Sequence, residues 1–246
     1  MGKILAIGGI SKDMNSIKLI LIEMFKIINE RKPKVLYIPT ANKDHEWYCG
    51  YIKNYFETNF VCKVDTLKLL SEDVETENIR NRIITSNIIF VEGGNTLFML
   101  ETWKKYKVDI FLREAYENNI ILAGLSAGAI CCFNEGHSDS MSFYSEKKWD
   151  YIFIKGLSLL EACACPHFDS EGRKESFIDM FNKSNNNIGI GIDNDCGLLV
   201  DDDSFKVISE KDDAKVTKLW KESEMFKSET FNKDDDYKCI DMLFKI

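Results

Sequence analysis

One hydroxyl stands between small residues in Gly124-Leu125-Ser126-Ala127-Gly128, where the apolar run "NNIILAGLS" gives way to "AGAICCF". A G-x-S-x-G sequence between a strand and a helix can form a nucleophile elbow. The sharp turn strains the middle residue, and flanking glycines avoid clashes with the adjoining elements. The serine oxygen then stands at the carboxyl edge of a sheet, with the Ala127 N–H aimed at a developing oxyanion. A plain Gly-rich strand-to-helix turn with an incidental serine is the alternative.

A nucleophilic serine needs a base, and the chain has three histidines. His45 lies in "NKDHEWY", a polar helix start, and His137 in "NEGHSDS", which reads as a loop. His167 closes the apolar stretch "ACACPHF", at a strand end, where open α/β sheets place their chemistry. Cys163, Cys165 and His167 alternate, so a strand would point all three to one face. Their C-x-C-x-H spacing lacks the second ligand pair of a structural zinc site, and cysteines packed under a helix are the favoured account.

A second Gly-rich turn, "FVEGGNT" (90–96), also follows an apolar strand. Its Gly94 N–H is a candidate second oxyanion donor, and Asn95 or Thr96 can cap the helix that follows. "AIGGI" (6–10) lacks the G-x-G-x-x-G spacing of a dinucleotide site.

These residues need a scaffold. Short apolar runs at 3–10, 34–41, 61–70 and 87–94 alternate with helical periodicity at 14–32, 45–58, 73–84, 95–106 and 108–118. That rhythm predicts an α/β fold, a mostly parallel sheet with helices on both faces. After about residue 140 the rhythm changes. A helix is expected at 171–183, and "CGLLVDDDSFKVISE" reads as a hairpin turning at 201–203, which predicts antiparallel edge additions. The polar tail beyond 222 reads as an edge element. No repeat or low-complexity linker interrupts the chain, so residues 1–246 are read as a single domain.

The bulk composition narrows the partners. At 246 residues, 45% hydrophobic and 29% charged, the chain can bury a sizeable core. A net charge of −8 argues against nucleic acid, which needs a basic face. No apolar stretch approaches the roughly 18 residues of a membrane span, so no membrane is expected. "MGKILAIGG" shows no signal peptide, and several of the eight cysteines lie in apolar runs, so a reduced, cytoplasmic protein is expected.

In this order, "FVEGGNT", "GLSAGA", "CPHF" with "EGR" after it, and "GIGID" resemble the peptidase E (aspartyl dipeptidase) family of serine peptidases, S51-like, with cyanophycinase as a more distant member. The motifs cover about 85 to 195. The resemblance implies a fold like class I glutamine amidotransferases, with Ser126 as nucleophile, His167 as base, and Gly94 and Ala127 N–H groups as the oxyanion hole. It places Arg173 where aspartyl dipeptidase pairs an arginine with the substrate's aspartate, a task suited to a bidentate guanidinium. Asn95 joins Arg173 as a candidate substrate contact.

The departure lies in the third member. The family carries a carboxylate after the "GIGI" strand, where this chain has Asn194 between Asp193 and Asp195. A second acidic position, about 15 residues past the elbow, corresponds to Asp139. Either Asn194 orients His167, or one of Asp139, Asp193 and Asp195 does so, with Asp139 preferred as the charge-bearing group. The expected function is hydrolysis of small peptides, such as Asp-Xaa dipeptides, without metal or organic cofactor, and a homodimer is allowed. The alternatives are a related amidase or cyanophycinase-like hydrolase and a non-catalytic binding or regulatory protein of the same fold.

Overall fold

The computed structural model describes residues 2–170, 172–222 and 225–246. In chain order the first half contains β1 (Ile4–Ile7), α1 (Lys18–Lys26), β2 (Lys34–Ile38), α2 (Glu46–Asn59), β3 (Lys63–Thr66), α3 (Thr76–Ile84), β4 (Ile88–Val91), α4 (Thr96–Tyr106), α5 (Val108–Glu117) and β5 (Ile121–Leu125). The elbow opens α6 (Ala127–Ile130), followed by β6 (Phe133–Ser138), β7 (Ile152–Lys155), β8 (Leu160–Pro166), α7 (Arg173–Lys183) and β9 (Ile188–Ile192). The chain ends with β10 (Cys196–Asp201), β11 (Ser204–Ser209), β12 (Lys215–Glu222), β13 (Met225–Asn232), β14 (Lys238–Cys239) and α8 (Asp241–Phe244).

Two sheets share these strands. The first runs β14-β11-β10-β1-β5-β4-β2-β3. Its five strands from β1 to β3 in that order are parallel, and β10, β11 and β14 add antiparallel at the other side. The expected hairpin is β10–β11, with acidic residues at its turn. Strands β1, β4 and β5 are buried along their whole length, as a parallel sheet covered on both faces requires.

The second half departs from the expectation of edge additions to one sheet. Strands β13-β12-β9-β8-β6-β7 form a separate six-stranded sheet. It has a parallel centre, β6-β8-β9, and antiparallel flanks. Some of its members escape a hydrophobic-run reading for physical reasons: β6 ("FNEGHS") and β13 ("MFKSETFN") are mostly polar, and β12 ("KVTKLWKE") is half charged. His137 therefore lies within a strand, not in a loop.

Three apolar clusters hold the layers. One lies between the sheets and under α3, α4 and α5, bringing Ala6, Leu36 and Ile89 together with Ala164, Ile190 and Val216. A second, including Tyr37, Phe56 and Phe90, lies on the opposite face of the first sheet under α1 and α2. The third packs α7, through Phe177 and Phe181, onto Cys163, Cys165 and Leu219 of the second sheet. No helix among the described residues is long and apolar enough to cross a membrane.

Candidate active site

The chain crosses from the first sheet to the second at the elbow, and returns at the loop between β9 and β10. Both crossings meet at the carboxyl ends of the parallel strands. Strand β5 lies between β1 and β4, so Ser126 emerges between the ends of those two neighbours. Its backbone is held at φ 52°, ψ −104°, a sparsely populated conformation for a side-chain-bearing residue. Ile7 O anchors the Ser126 N–H at 3.0 Å. The flanking glycines are steric necessities: a Cβ on Gly124 would strike the Gly128 carbonyl, and one on Gly128 would strike that of Val91.

His167 follows β8 and also has positive φ, 53°. Its N–H bonds Gly8 O at 3.1 Å, which ties the end of the second sheet to the end of β1. That turn breaks the strand alternation: Cys163 and Cys165 go beneath α7, while the imidazole faces the elbow. The two faces separate the groups of the C-x-C-x-H sequence. Among the described residues no group of three His, Cys, Asp or Glu side chains could hold a metal ion.

Nε2 of His167 lies 2.8 Å from Ser126 Oγ, and Nδ1 lies 2.7 Å from Asn194 Oδ1. Burial, the largest influence, lowers the His167 pKa below its usual value, and the bond to Asn194 partly offsets this. The ring is thus neutral at pH 7: Nδ1–H donates to Asn194, and Nε2 is free to accept the Ser126 proton. Asn194 in turn donates from Nδ2 to Asp169 Oδ1 at 2.8 Å and to Ser170 Oγ at 3.2 Å, and its backbone N–H reaches the same Asp169 oxygen at 2.8 Å.

The acids weighed for this position go elsewhere. Asp139, the preferred charge-bearing group, meets Arg173 Nη1 at 3.1 Å, because α7 delivers the guanidinium to the end of β6. Asp193 accepts from the Lys215 N–H at 3.1 Å, and desolvation lifts its pKa to about 6. Asp195 accepts from the Ser11 N–H at 2.8 Å and pairs with Lys211 at 2.5 Å.

Arg173 is 5% exposed and already engaged. Besides Asp139, it donates from Nη2 to His137 O at 3.0 Å and lies over the Tyr151 ring at 5.0 Å, which leaves Nε without a partner. The structure thus presents no open guanidinium fork. Glu171 of the "EGR" motif lies outside the described residues. Asn95, expected at the substrate, is 1% exposed and spends its Oδ1 capping α4 through the Phe98 N–H at 3.1 Å.

The Gly-rich turn after β4 runs against the elbow, and a Cβ on Gly93 would lie 3.3 Å from that of Ser126. Gly94, at φ 135°, packs its Cα side onto Ala41 O, where no other residue fits. Among the described residues, the N–H groups of Gly94 and Ala127 have no acceptor in the protein. Of the other histidines, His45 starts α2. His137 is fully buried, with Nε2 3.0 Å from Ser176 Oγ and its ring stacked on Tyr151.

Two contributors escaped the sequence reading. Gly9, in "AIGGI", lets the imidazole and amide pack against bare backbone, for a Cβ there would overlap both Asn194 Oδ1 and His167 Nδ1. Asp169, two residues past the histidine, had no motif to mark it.

A hydroxyl, a neutral imidazole and an orienting amide in series can remove a proton from the hydroxyl as it attacks a carbonyl. The sequence profile of Peptidase family S51 matches residues 4–208. The chain belongs to this family. It is 30% identical over 224 residues, 89% of this chain and 92% of the other, to the Bacillus subtilis (strain 168) protein "Uncharacterized peptidase YgaJ". It is 29% identical over 143 residues, 55% of this chain and 65% of the other, to "Uncharacterized peptidase Lin0382" of Listeria innocua serovar 6a. The fold matches the crystal structure of a peptidase from an acI-B1 Actinobacterium, with a TM-score of 0.72, 21% identity and 97% of each chain covered. S51 membership makes the chain a peptidase. Ser126, His167 and Asn194 are the candidate residues for that chemistry.

Proposed function

We propose that this S51 chain is a serine-type peptidase acting on small peptides. Ser126 Oγ attacks the scissile carbonyl as His167 Nε2 takes its proton. The Gly94 and Ala127 N–H groups stabilise the tetrahedral oxyanion. His167 then passes the proton to the leaving amine, and a water, deprotonated by the same nitrogen, hydrolyses the acyl-enzyme. Asn194 keeps the ring in the productive tautomer throughout. The observation that carries this reading is the 2.8 Å contact between Ser126 Oγ and His167 Nε2, at a serine held in a strained elbow.

Asp-Xaa dipeptides are the proposed preferred substrates, with Arg173 as the anchor for the aspartate carboxylate. Since Asp139 occupies the guanidinium, a substrate carboxylate would bind by taking its place, exchanging one ion pair for another. The test is labelling with a fluorophosphonate probe, followed by a dipeptide panel. Wild type should label, and Ser126→Ala and His167→Ala should not. Asp-Xaa members should be cleaved first, with the preference lost in Arg173→Ala. A wild type inert to the probe would favour a binding protein of this fold, and an unchanged preference in Arg173→Ala would remove Arg173 from substrate recognition.

A further inference from the structure

The imidazole of a hydrolytic serine site becomes a cation in the transition state, and a neutral amide beside it offers no charge to meet that cation. Asn194 stands at this position, yet its far side meets a carboxylate, that of the exposed Asp169. Asp169 Oδ1 takes both the side-chain and the backbone N–H of Asn194, each at 2.8 Å, and Ser170 Oγ takes the other Nδ2 hydrogen at 3.2 Å. A carboxylate only accepts, so it fixes which end of the amide faces inward. With Nδ2 held by Asp169, Oδ1 must face His167, Nδ1 must carry the proton, and Nε2 is left to accept from Ser126.

We propose that Asp169 is a positioning residue for the peptidase reaction, carrying the negative charge of the site one hydrogen bond beyond its usual place, with Asn194 as the relay to His167. This rests on the serine-peptidase reading above. The chain Ser126–His167–Asn194–Asp169 is continuous, and each link determines the donor sense of the next. It also accounts for an asparagine where the family resemblance called for an acid: a carboxylate at 194 would face the Asp169 carboxylate with no proton between them.

Other charges bear on the pair from every side. Lys174 of α7, Asp193 after β9, and Lys211, Asp213 and Lys215 before and at the start of β12 line the same cavity of about 600 Å³ as Asp169. Arg173 opposes a cation at His167, while Asp139 and Asp169 favour one. Of these acidic and basic side chains, Asp169 is the one hydrogen-bonded to Asn194 among the described residues, so its removal is separable from the rest.

The test is a charge exchange across that hydrogen bond, read by the rate of fluorophosphonate labelling at Ser126 as a function of pH. Asp169→Asn keeps an acceptor for the Asn194 N–H and loses the charge. It should slow labelling about two- to fivefold, the scale of an exposed charge interaction, and move the acid limb to lower pH. Asn194→Asp alone juxtaposes two carboxylates and should also label slowly. The double variant Asp169→Asn/Asn194→Asp puts a carboxylate on His167 with an amide behind it, and should recover most of the rate. A purely structural Asp169 would leave the acid limb in place and give no recovery in the exchange, and either result overturns the proposal. Loss of the underlying reading looks different, because Ser126→Ala would then label like wild type.

Discussion

At the residue scale, the decisive quantity is the protonation of one imidazole. Burial disfavours the His167 cation and the Asn194 carbonyl only partly restores it, so the pKa lies below the usual 6.5 of a histidine. Below that pKa, Nε2 carries a proton and cannot take one from Ser126. Labelling should therefore rise with pH, with its midpoint under 6.5, and a midpoint at or above 6.5 would contradict the assignment. Ser126 and His167 were legible because an elbow has a motif and the chain offers few histidines. Asn194 was not separable from Asp193 and Asp195, because three polar neighbours in one loop are sorted only by where the backbone aims them. Here Asp193 turns to Lys215 and Asp195 to Ser11, leaving the residue between them toward the ring. Asp169 and Gly9 carry no spacing signature at all; their roles exist only once two sheets meet.

At the scale of elements, the sequence reading of β1, β2, β4 and β5 and their helices survives because buried parallel strands are continuous apolar runs, whereas the edge strand β3 buries only Val64 fully. The six-stranded sheet was hidden by strands whose exposed faces are charged, and by β6, where apolar content is low. The elbow joins both regimes, since α6 makes barely one turn before β6 begins. So short a helix has no cooperativity of its own, and its position comes from packing. Gly128 is the closest part of that packing, with a Cβ there 2.9 Å from the Val91 Cβ and closer still to the Val91 carbonyl. Gly128→Ala should lower stability by about 1–3 kcal/mol through overpacking. Displacing α6 should also move the Ala127 N–H, so labelling should fall further than the unfolded fraction explains. A urea midpoint alongside the labelling rate checks both; an unchanged midpoint would show that the elbow can relax around a methyl group.

For the whole molecule, the same burial that builds the site sets a pH range for the fold. Glu92, beside the Gly-rich turn, is 7% exposed, its Oε2 has no partner, and desolvation lifts its pKa from 4.5 to about 8. Between those values the folded chain keeps a proton that the unfolded chain has released, so stability falls as pH rises through the window. His137 acts on the acid side: desolvation first, then Arg173, holds its pKa at about 3, so stability falls as pH drops from 6.5 toward 3. Between 4.5 and 6.5 the two slopes oppose, and above 6.5 Glu92 acts without that opposition. Glu92→Gln keeps the volume and removes the ionisation. Its change in stability from pH 4.5 to pH 8 should lack the Glu92 contribution, at most about 4 kcal/mol over that range. Urea unfolding of both proteins across that range measures it. Parallel profiles would mean that the Glu92 carboxyl finds charge-stabilising partners in the folded chain and ionises there as readily as in the unfolded one.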